Sequence, residues 1–258
     1  MGMQLFRAAI LVVAALGAVS LSGCARTPGE PQVGLYRGVL ELPGGEAPFG
    51  LEIARENERY VLYLINGAER TRVDNVTWQD GTLAAVFPGY ENHLSARVTS
   101  AGLEGNVTFI KARGAEQVVP FKATFGERYR FHAESSADNA DVAGRWAITF
   151  TSDSGEESIA VGLFEQEHDR VTGTVMTPTG DHRFLEGQVR GDELELSTFA
   201  GGLVYLYRLK VTDDGRLEGD YWQGLAWHEK VSAQRDENAT IEGAGRKTEL
   251  RSEDEPLN

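Results

Sequence analysis

The sequence holds a single cysteine, Cys24, in 258 residues. No internal disulfide can brace the fold, and no Cys-x-x-Cys pair exists to exchange thiol for disulfide. Cationic side chains are scarce beside anionic ones: 25 lysines and arginines against 39 aspartates and glutamates, a formal net charge of −14. That balance argues against a nucleic-acid partner, which needs a basic face toward phosphate, and against electrostatic adhesion to anionic lipid head groups. The five histidines, His93, His132, His168, His182 and His228, never stand at zinc-ligand spacing. Ser197-Thr198 offers hydroxyls without a nucleophile elbow, and no phosphate-cradling glycine loop is present. No catalytic residue, metal site or cofactor is expected. Long amphipathic helical patterns are missing after the first residues. The one apolar run, Ala8 to Ser20, is shorter than the about 20 residues that span a bilayer.

What is there begins with that run. It follows Arg7 and closes on Leu21-Ser22-Gly23-Cys24, the layout of an export signal. The closing four residues resemble the lipobox of bacterial lipoproteins, which implies cleavage before Cys24 and lipid on its sulfur and new amino group. Removing residues 1–23 takes away only the +1 of Arg7, which turns −14 into −15. Attachment to a membrane then falls to the acyl chains on Cys24, several of which together hold stably. Ala25, rather than Asp, follows the cysteine, which resembles lipoproteins sent to the outer membrane. The expected location is the bacterial cell envelope, facing the periplasm, at the outer more than the inner membrane. Residues 24–33 read as a polar tether.

Beyond the tether the chain alternates with period two. Trp146, Ile148 and Phe150 oppose Arg145, Ala147 and Thr149, and Leu94, Ala96 and Val98 oppose Ser95, Arg97 and Thr99. Val119, Phe121, Ala123 and Phe125 share a face, as do Tyr205, Tyr207, Leu209 and Val211. Asn66-Gly67, Asp80-Gly81, Gly191-Asp192 and Asp213-Asp214-Gly215 supply turns. Glu52 to Arg59 has the composition of a helical turn beside the strand-like Tyr60 to Ile65. The pattern repeats: Gly34-Leu35-Tyr36 answers Gly144-Arg145-Trp146, Gly81-Thr82-Leu83 answers Gly191 to Leu194, Phe87 answers Phe199, and Gly102 to Val107 answers Gly215 to Tyr221. The expected fold is all-β: two tandem antiparallel β units, each a small lipocalin-like barrel or sandwich of seven or eight strands, or the two joined into one continuous sheet. Residues 34–137 form the first unit and 138–236 the second, with the junction at Asp138-Asn139-Ala140-Asp141. Residues 237–258 read as an acidic tail or linker.

Candidate contact residues gather in two turns and one aromatic group. Tyr90, Glu91 and His93 follow Pro88-Gly89, and Asp181, His182 and Arg183 follow Pro178-Thr179-Gly180, where solvated turn side chains outweigh a reactive cluster. Trp146, Tyr205, Tyr207, Tyr221, Trp222 and Trp227 concentrate in the second unit, where they either fill a barrel core or line a ligand cavity; Trp146, Tyr205 and Tyr207 are the candidates for the second role. Glu46, Glu52, Glu56 and Glu58 read as a solvated charged face.

Several words carry a family resemblance: Gly173-Thr174-Val175, Thr179-Gly180-Asp181-His182-Arg183-Phe184-Leu185-Glu186-Gly187, Gly191 to Ser197, Ile65 to Arg70 and Phe87-Pro88-Gly89-Tyr90. Over residues 34–236 the chain resembles the β-rich region that precedes the thioredoxin domain of lipid-anchored, TlpA-like disulfide reductases. His182 stands where that pattern has an aromatic, and Phe199-Ala200-Gly201-Gly202 departs from its Phe-Asp-Gly-His. The resemblance implies a non-catalytic scaffold or recognition module whose partner is a thioredoxin-like oxidoreductase domain. The Trp-Cys-x-x-Cys site of such a domain does not occur here, and Pro256-Leu257-Asn258 looks like the approach to its first strand, so a standalone relative and a chain cut at a domain boundary are both open. Reductase activity requires that domain to be supplied elsewhere. The competing function is a lipocalin-like carrier of a small apolar ligand in the periplasm.

Overall fold

The computed structural model describes residues 29–241. The signal, Cys24, the first part of the tether and most of the acidic tail lie outside the described residues. The chain folds into two nine-stranded antiparallel sheets. The first contains β1 (Gly34–Leu42), β2 (Gly45–Glu56), β3 (Arg59–Asn66), β4 (Glu69–Val73), β5 (Asn75–Gln79), β6 (Thr82–Val86), β7 (His93–Val98), β8 (Gly102–Ile110) and β9 (Glu116–Phe125). The second contains β10 (Gly144–Ser152), β11 (Glu157–Glu167), β12 (Arg170–Thr177), β13 (Gly180–Asp181), β14 (Leu185–Arg190), β15 (Glu193–Phe199), β16 (Val204–Val211), β17 (Leu217–Gln223) and β18 (Trp227–Arg235). The units are separate sheets, not one continuous sheet, and each has nine strands rather than seven or eight.

Alternation explains the strands. Leu94 and Ala96 of β7 are buried beside exposed Ser95 and Arg97, and Val119, Phe121 and Ala123 of β9 are buried in alternation with exposed Val118, Pro120 and Lys122. Phe125, at the end of β9, is exposed. Asp80-Gly81 turns with φ of 51° and 77°, the doubly positive pair that suits a two-residue hairpin. Asn57-Glu58 does the same with 47° and 64°, so Glu52 to Arg59 is a hairpin and not a helical turn. The aromatic and β-branched run of β3 pairs back along β2 and overrides the local helical composition.

The repeat is visible in the topology. Numbering strands within each unit, both sheets run 2-1-9-8-7-6-5 through their middle, with strand 3 beside strand 2 in both. The glycines of two of the three Leu-Glu-Gly words, Gly105 of β8 and Gly219 of β17, take equivalent places, and a Cβ at either would run into the neighbouring strand's carbonyl, of Ser95 or Arg208. The units differ at closure. In the second, β12 pairs with both β11 and β14, closing a ring of eight strands with β13 attached to β12. In the first, β3 lies beside β5 but no ladder joins them among the described residues. An eight-stranded ring has an interior just wide enough for side chains. Trp146, Phe150, Tyr207, Tyr221, Leu194, Leu196 and Leu217 fill it.

The second barrel also completes the first unit's core. Phe199, Val204 and Leu206 project from the outer face of β15 and β16 into the first unit, where Trp222 packs beside them. Phe199 meets Phe49, Phe87 and Phe109 edge-on, at centroid distances of 5.0, 5.2 and 5.9 Å. Phe87 and Phe199 are repeat-equivalent, so the units touch through corresponding positions. Around this apolar plug runs a buried polar node. The segment between β9 and β10 carries Arg130 across the seam. Its Nη2 donates to Asn66 Oδ1 (2.9 Å) and the Ser197 carbonyl (2.8 Å), its Nη1 to the Ile65 carbonyl (3.3 Å) and its Nε to Ser197 Oγ (3.3 Å). Asn66, fully buried, donates through Nδ2 to the Phe199 carbonyl (2.9 Å) and accepts from the Phe199 N–H (3.2 Å). Ser197 Oγ donates to the Pro48 carbonyl (2.5 Å). Glu186 balances the charge: it lies 3.6 Å from Arg130, pairs with Arg170 at 2.9 Å and accepts the Gly67 N–H at 2.9 Å. Burial alone would raise the Glu186 pKa, but Arg130, the Gly67 N–H and Arg170 outweigh it and hold the carboxyl below its ordinary range. Burial pulls Arg130 down to about 10, which leaves it charged at neutral pH.

Two substitutions test the seam by urea denaturation. Phe199→Ala removes a ring from a filled core and should cost about 3–5 kcal/mol. Arg130→Met removes the buried charge beside Glu186 and its hydrogen bonds to Ile65, Asn66 and Ser197, and should cost a similar about 3–5 kcal/mol. A loss under about 1 kcal/mol in either would contradict the coupling of the two units.

Candidate functional site

The site forms at one mouth of the second barrel. After β12 the chain turns through Pro178-Thr179-Gly180, and Asp181-His182-Arg183 crosses the mouth before β14. The His182 N–H donates to the Val175 carbonyl (2.9 Å), which pulls the residue inward. Its ring lies between Tyr205 (4.4 Å, 22°) and Tyr221 (5.3 Å, 16°), and Nδ1 is hydrogen-bonded to the Tyr207 hydroxyl. His182 is 9% exposed, which corrects the expectation of a solvated turn side chain: Asp181 and Arg183 stay exposed while the bond to Val175 and the tyrosines draw the imidazole in. Burial drives its pKa down to about 4 against the small opposing pull of Asp181. Burial likewise raises the Tyr205, Tyr207 and Tyr221 phenols, so all three keep their protons at neutral pH.

Over this aromatic floor opens a cavity of about 240 Å³, lined by Tyr90, Asp181, Arg183, Thr198, Ala200, Gly202, Leu203 and Tyr205. Asp181 Oδ1 accepts the Arg183 N–H (2.9 Å), a local turn that goes with the positive φ of Arg183, 56°. The Arg183 guanidinium pairs with Glu69 of β4, across the seam. Tyr90 comes from the first unit. Its loop is fixed by Asn92, whose Nδ2 donates to the Gly201 and Gly202 carbonyls (2.9 Å each) and whose Oδ1 accepts the Ile110 N–H (2.8 Å). The Tyr90 ring lies so close on Gly202 that a Cβ there would push the ring aside. Thr198 is 2% exposed, and its hydroxyl has no partner.

Four of the sequence candidates, Tyr90, Asp181, Arg183 and Tyr205, therefore line one cavity, with His182 and Tyr207 beneath it. Three lie elsewhere. Glu91 is exposed, and its carbonyl contacts the His93 ring at 3.4 Å. Trp146 is in the barrel core, its indole N–H on the Val142 carbonyl (2.9 Å) and Arg235 over its face. Trp227, grouped with the aromatics by sequence, is exposed, because it starts β18 at the hairpin tip. Thr198, Gly202 and Glu69 escaped sequence reasoning; the Gly201-Gly202 pair between two strands was the available signal of close approach. Glu46, Glu52 and Glu56 form ion pairs with Arg37, Arg70 and Arg72, so that charged face is a paired one. Among the described residues no three His, Cys, Asp or Glu side chains stand close enough to hold a metal ion, and no helix is long and apolar enough to cross a membrane.

No protein-family model matches the sequence, and no curated protein matches it. Among solved structures, the chain is similar to a protein with unknown function from the DUF3598 family of Nostoc punctiforme PCC 73102. The identity is 10%, the match covers 78% of this chain and 94% of that one, and the TM-score is 0.27.

The buried imidazole makes stability depend on pH. Unfolded, His182 binds a proton near pH 6.5; folded, it resists to about 4, so the unfolded state holds more protons between these values. Stability conferred by the neutral ring is complete above the unfolded pKa and is lost as pH falls from about 6.5 to about 4, by about 3 kcal/mol in all. His182→Gln should remove that component, so the wild-type and variant stability curves, measured by urea denaturation, should converge with acidification. Parallel curves would refute it.

Proposed function

We propose that the chain is a non-catalytic recognition module of the bacterial cell envelope, held at a membrane by lipid on Cys24 and serving a thioredoxin-like oxidoreductase domain, in cis or on a neighbouring chain. The observation that carries this reading is the seam: Phe199 and Arg130 join the two β units, and the side chains that fill both interiors leave their outer surfaces and the seam for binding. A joined body of this kind suits presentation of a partner or its substrate. The redox chemistry belongs to the partner, because attack on a disulfide and its resolution need two thiols and this chain has one.

The second reading, a lipocalin-like carrier of a small apolar ligand, draws on the closed eight-stranded antiparallel barrel. The filled interior moves any ligand from the lumen to the mouth.

Expressed with its own signal in a bacterium, the chain should fractionate with membranes and take up labelled fatty acid, and Cys24→Ala should abolish both. In-membrane cross-linking of the acylated chain should capture a protein bearing a thioredoxin-type Cys-x-x-Cys, and the chain should raise that protein's reduction rate on a disulfide substrate. A Cys24→Ala protein that stays acylated would sink the anchor; no captured oxidoreductase and no change in rate would sink the partner.

A further inference from the structure

We infer that the cavity between Tyr90 and Tyr205 binds a single neutral pyranose ring. The site needs neither the lipid nor a redox partner, so its success or failure is separate from theirs.

Its polar groups select the ligand class. Asp181 spends one carboxylate oxygen on the Arg183 N–H, and the other has no protein partner among the described residues. Arg183 uses one nitrogen on Glu69, which neutralises its charge and leaves further N–H donors on a planar fork. An anionic ligand would meet the net negative charge of Asp181, Arg183 and Glu69, and a cationic one would leave the free N–H donors of Arg183 without an acceptor. A neutral ring bearing hydroxyls meets both, donating to Asp181 and accepting from Arg183. Thr198 stands on the cavity wall, but its hydroxyl is buried behind that wall and takes no part in the selection.

The apolar walls fit the same class. A pyranose presents C–H faces as well as hydroxyl edges, and Tyr90, Tyr205 and Leu203 supply flat, apolar surface. At about 240 Å³ the cavity is smaller than the about 300–1,000 Å³ of drug-sized sites and has the size for one ring, while Asp181 and Arg183 also border a wider cleft of about 880 Å³. The frame is held in place: Asn92 and Gly202 set Tyr90, Tyr205 stacks on His182, and Arg183 is kept at positive φ, the kind of backbone strain that concentrates at ligand clamps.

The test is saturation-transfer NMR and calorimetry on the folded chain with methyl gluco-, galacto- and mannopyranosides, with acetate and tetramethylammonium as charged probes. At least one pyranoside should bind in the millimolar range or tighter, and the charged probes should not. Tyr90→Ala and Asp181→Asn, both at exposed positions, should each weaken binding about tenfold or more while leaving the urea midpoint in place. Trp227→Ala, at the hairpin tip, should bind as the wild type does. Three results would overturn the assignment: no pyranoside binding, binding of a charged probe in its place, or pyranoside binding that survives both substitutions.

Discussion

The arrangement of the molecule turns on one buried cation. Arg130 lies between two sheets, each built by its own local hairpins, and its donors are divided between them: Ile65 and Asn66 on one side, Ser197 on the other. A buried, paired guanidinium adds little net stability compared with apolar filling, because its desolvation offsets most of the attraction. Its effect is on alternatives. Any other angle between the barrels would part the guanidinium from its acceptors on one side and the Asn66 amide from the Phe199 backbone, at several kcal/mol. The Phe199 plug supplies apolar burial that many docking angles could share, while the Arg130 node selects one.

The internal repeat explains why two similar barrels face each other through unlike surfaces. A single copy can bury only its own interior. Joining two copies requires one to expose an apolar outer face that the other covers. Here the start of β16 is apolar on both faces: Tyr205 and Tyr207 point into their own barrel, while Val204 and Leu206, with Phe199 from the end of β15, point into the neighbour. The copy that donates this face is the closed one. The copy that receives it has no ladder between β3 and β5 among the described residues, and takes Phe199 among Phe49, Phe87 and Phe109.

The periodic part of this was legible in the residues. Period-two alternation marks strands because each residue's face depends only on parity, and Gly34/Gly144, Phe87/Phe199 and Gly102/Gly215 mark the repeat because they fall at matching turns and strand ends. The seam was not legible. Asn66-Gly67 reads as a turn, which it is, with Gly67 at φ 54°; that Asn66 also bonds the Phe199 backbone depends on a strand more than a hundred residues away. Arg130 sits in an irregular segment with no period to place it. His182 carries a polar side chain in a turn sequence, and only the ring of tyrosines from β16 and β17 makes its burial favourable. Alternation assigns a face, but it does not say which element covers that face.

The same seam explains why the candidate site lies where it does. Tyr90 and Glu69 come from the first unit; Asp181, Arg183, Thr198 and Tyr205 come from the second. Neither barrel alone would have the cavity. Its polar rim is set by partners across the junction, with Glu69 on Arg183 and Asn92 on the Gly201 and Gly202 carbonyls. A displacement of about 1 Å between the barrels would part Tyr90 from Gly202 and Arg183 from Glu69 together, since hydrogen-bonded contact tolerates little more than that. The cavity's shape therefore reports the docking angle that Arg130 selects, and a ligand that requires that shape would stabilise the junction by mass action. Coupling of this kind follows from the repeat itself: the loop that carries Tyr90 and the loop it rests on are corresponding loops of the two copies, brought together when the second unit's outer face became the first unit's core.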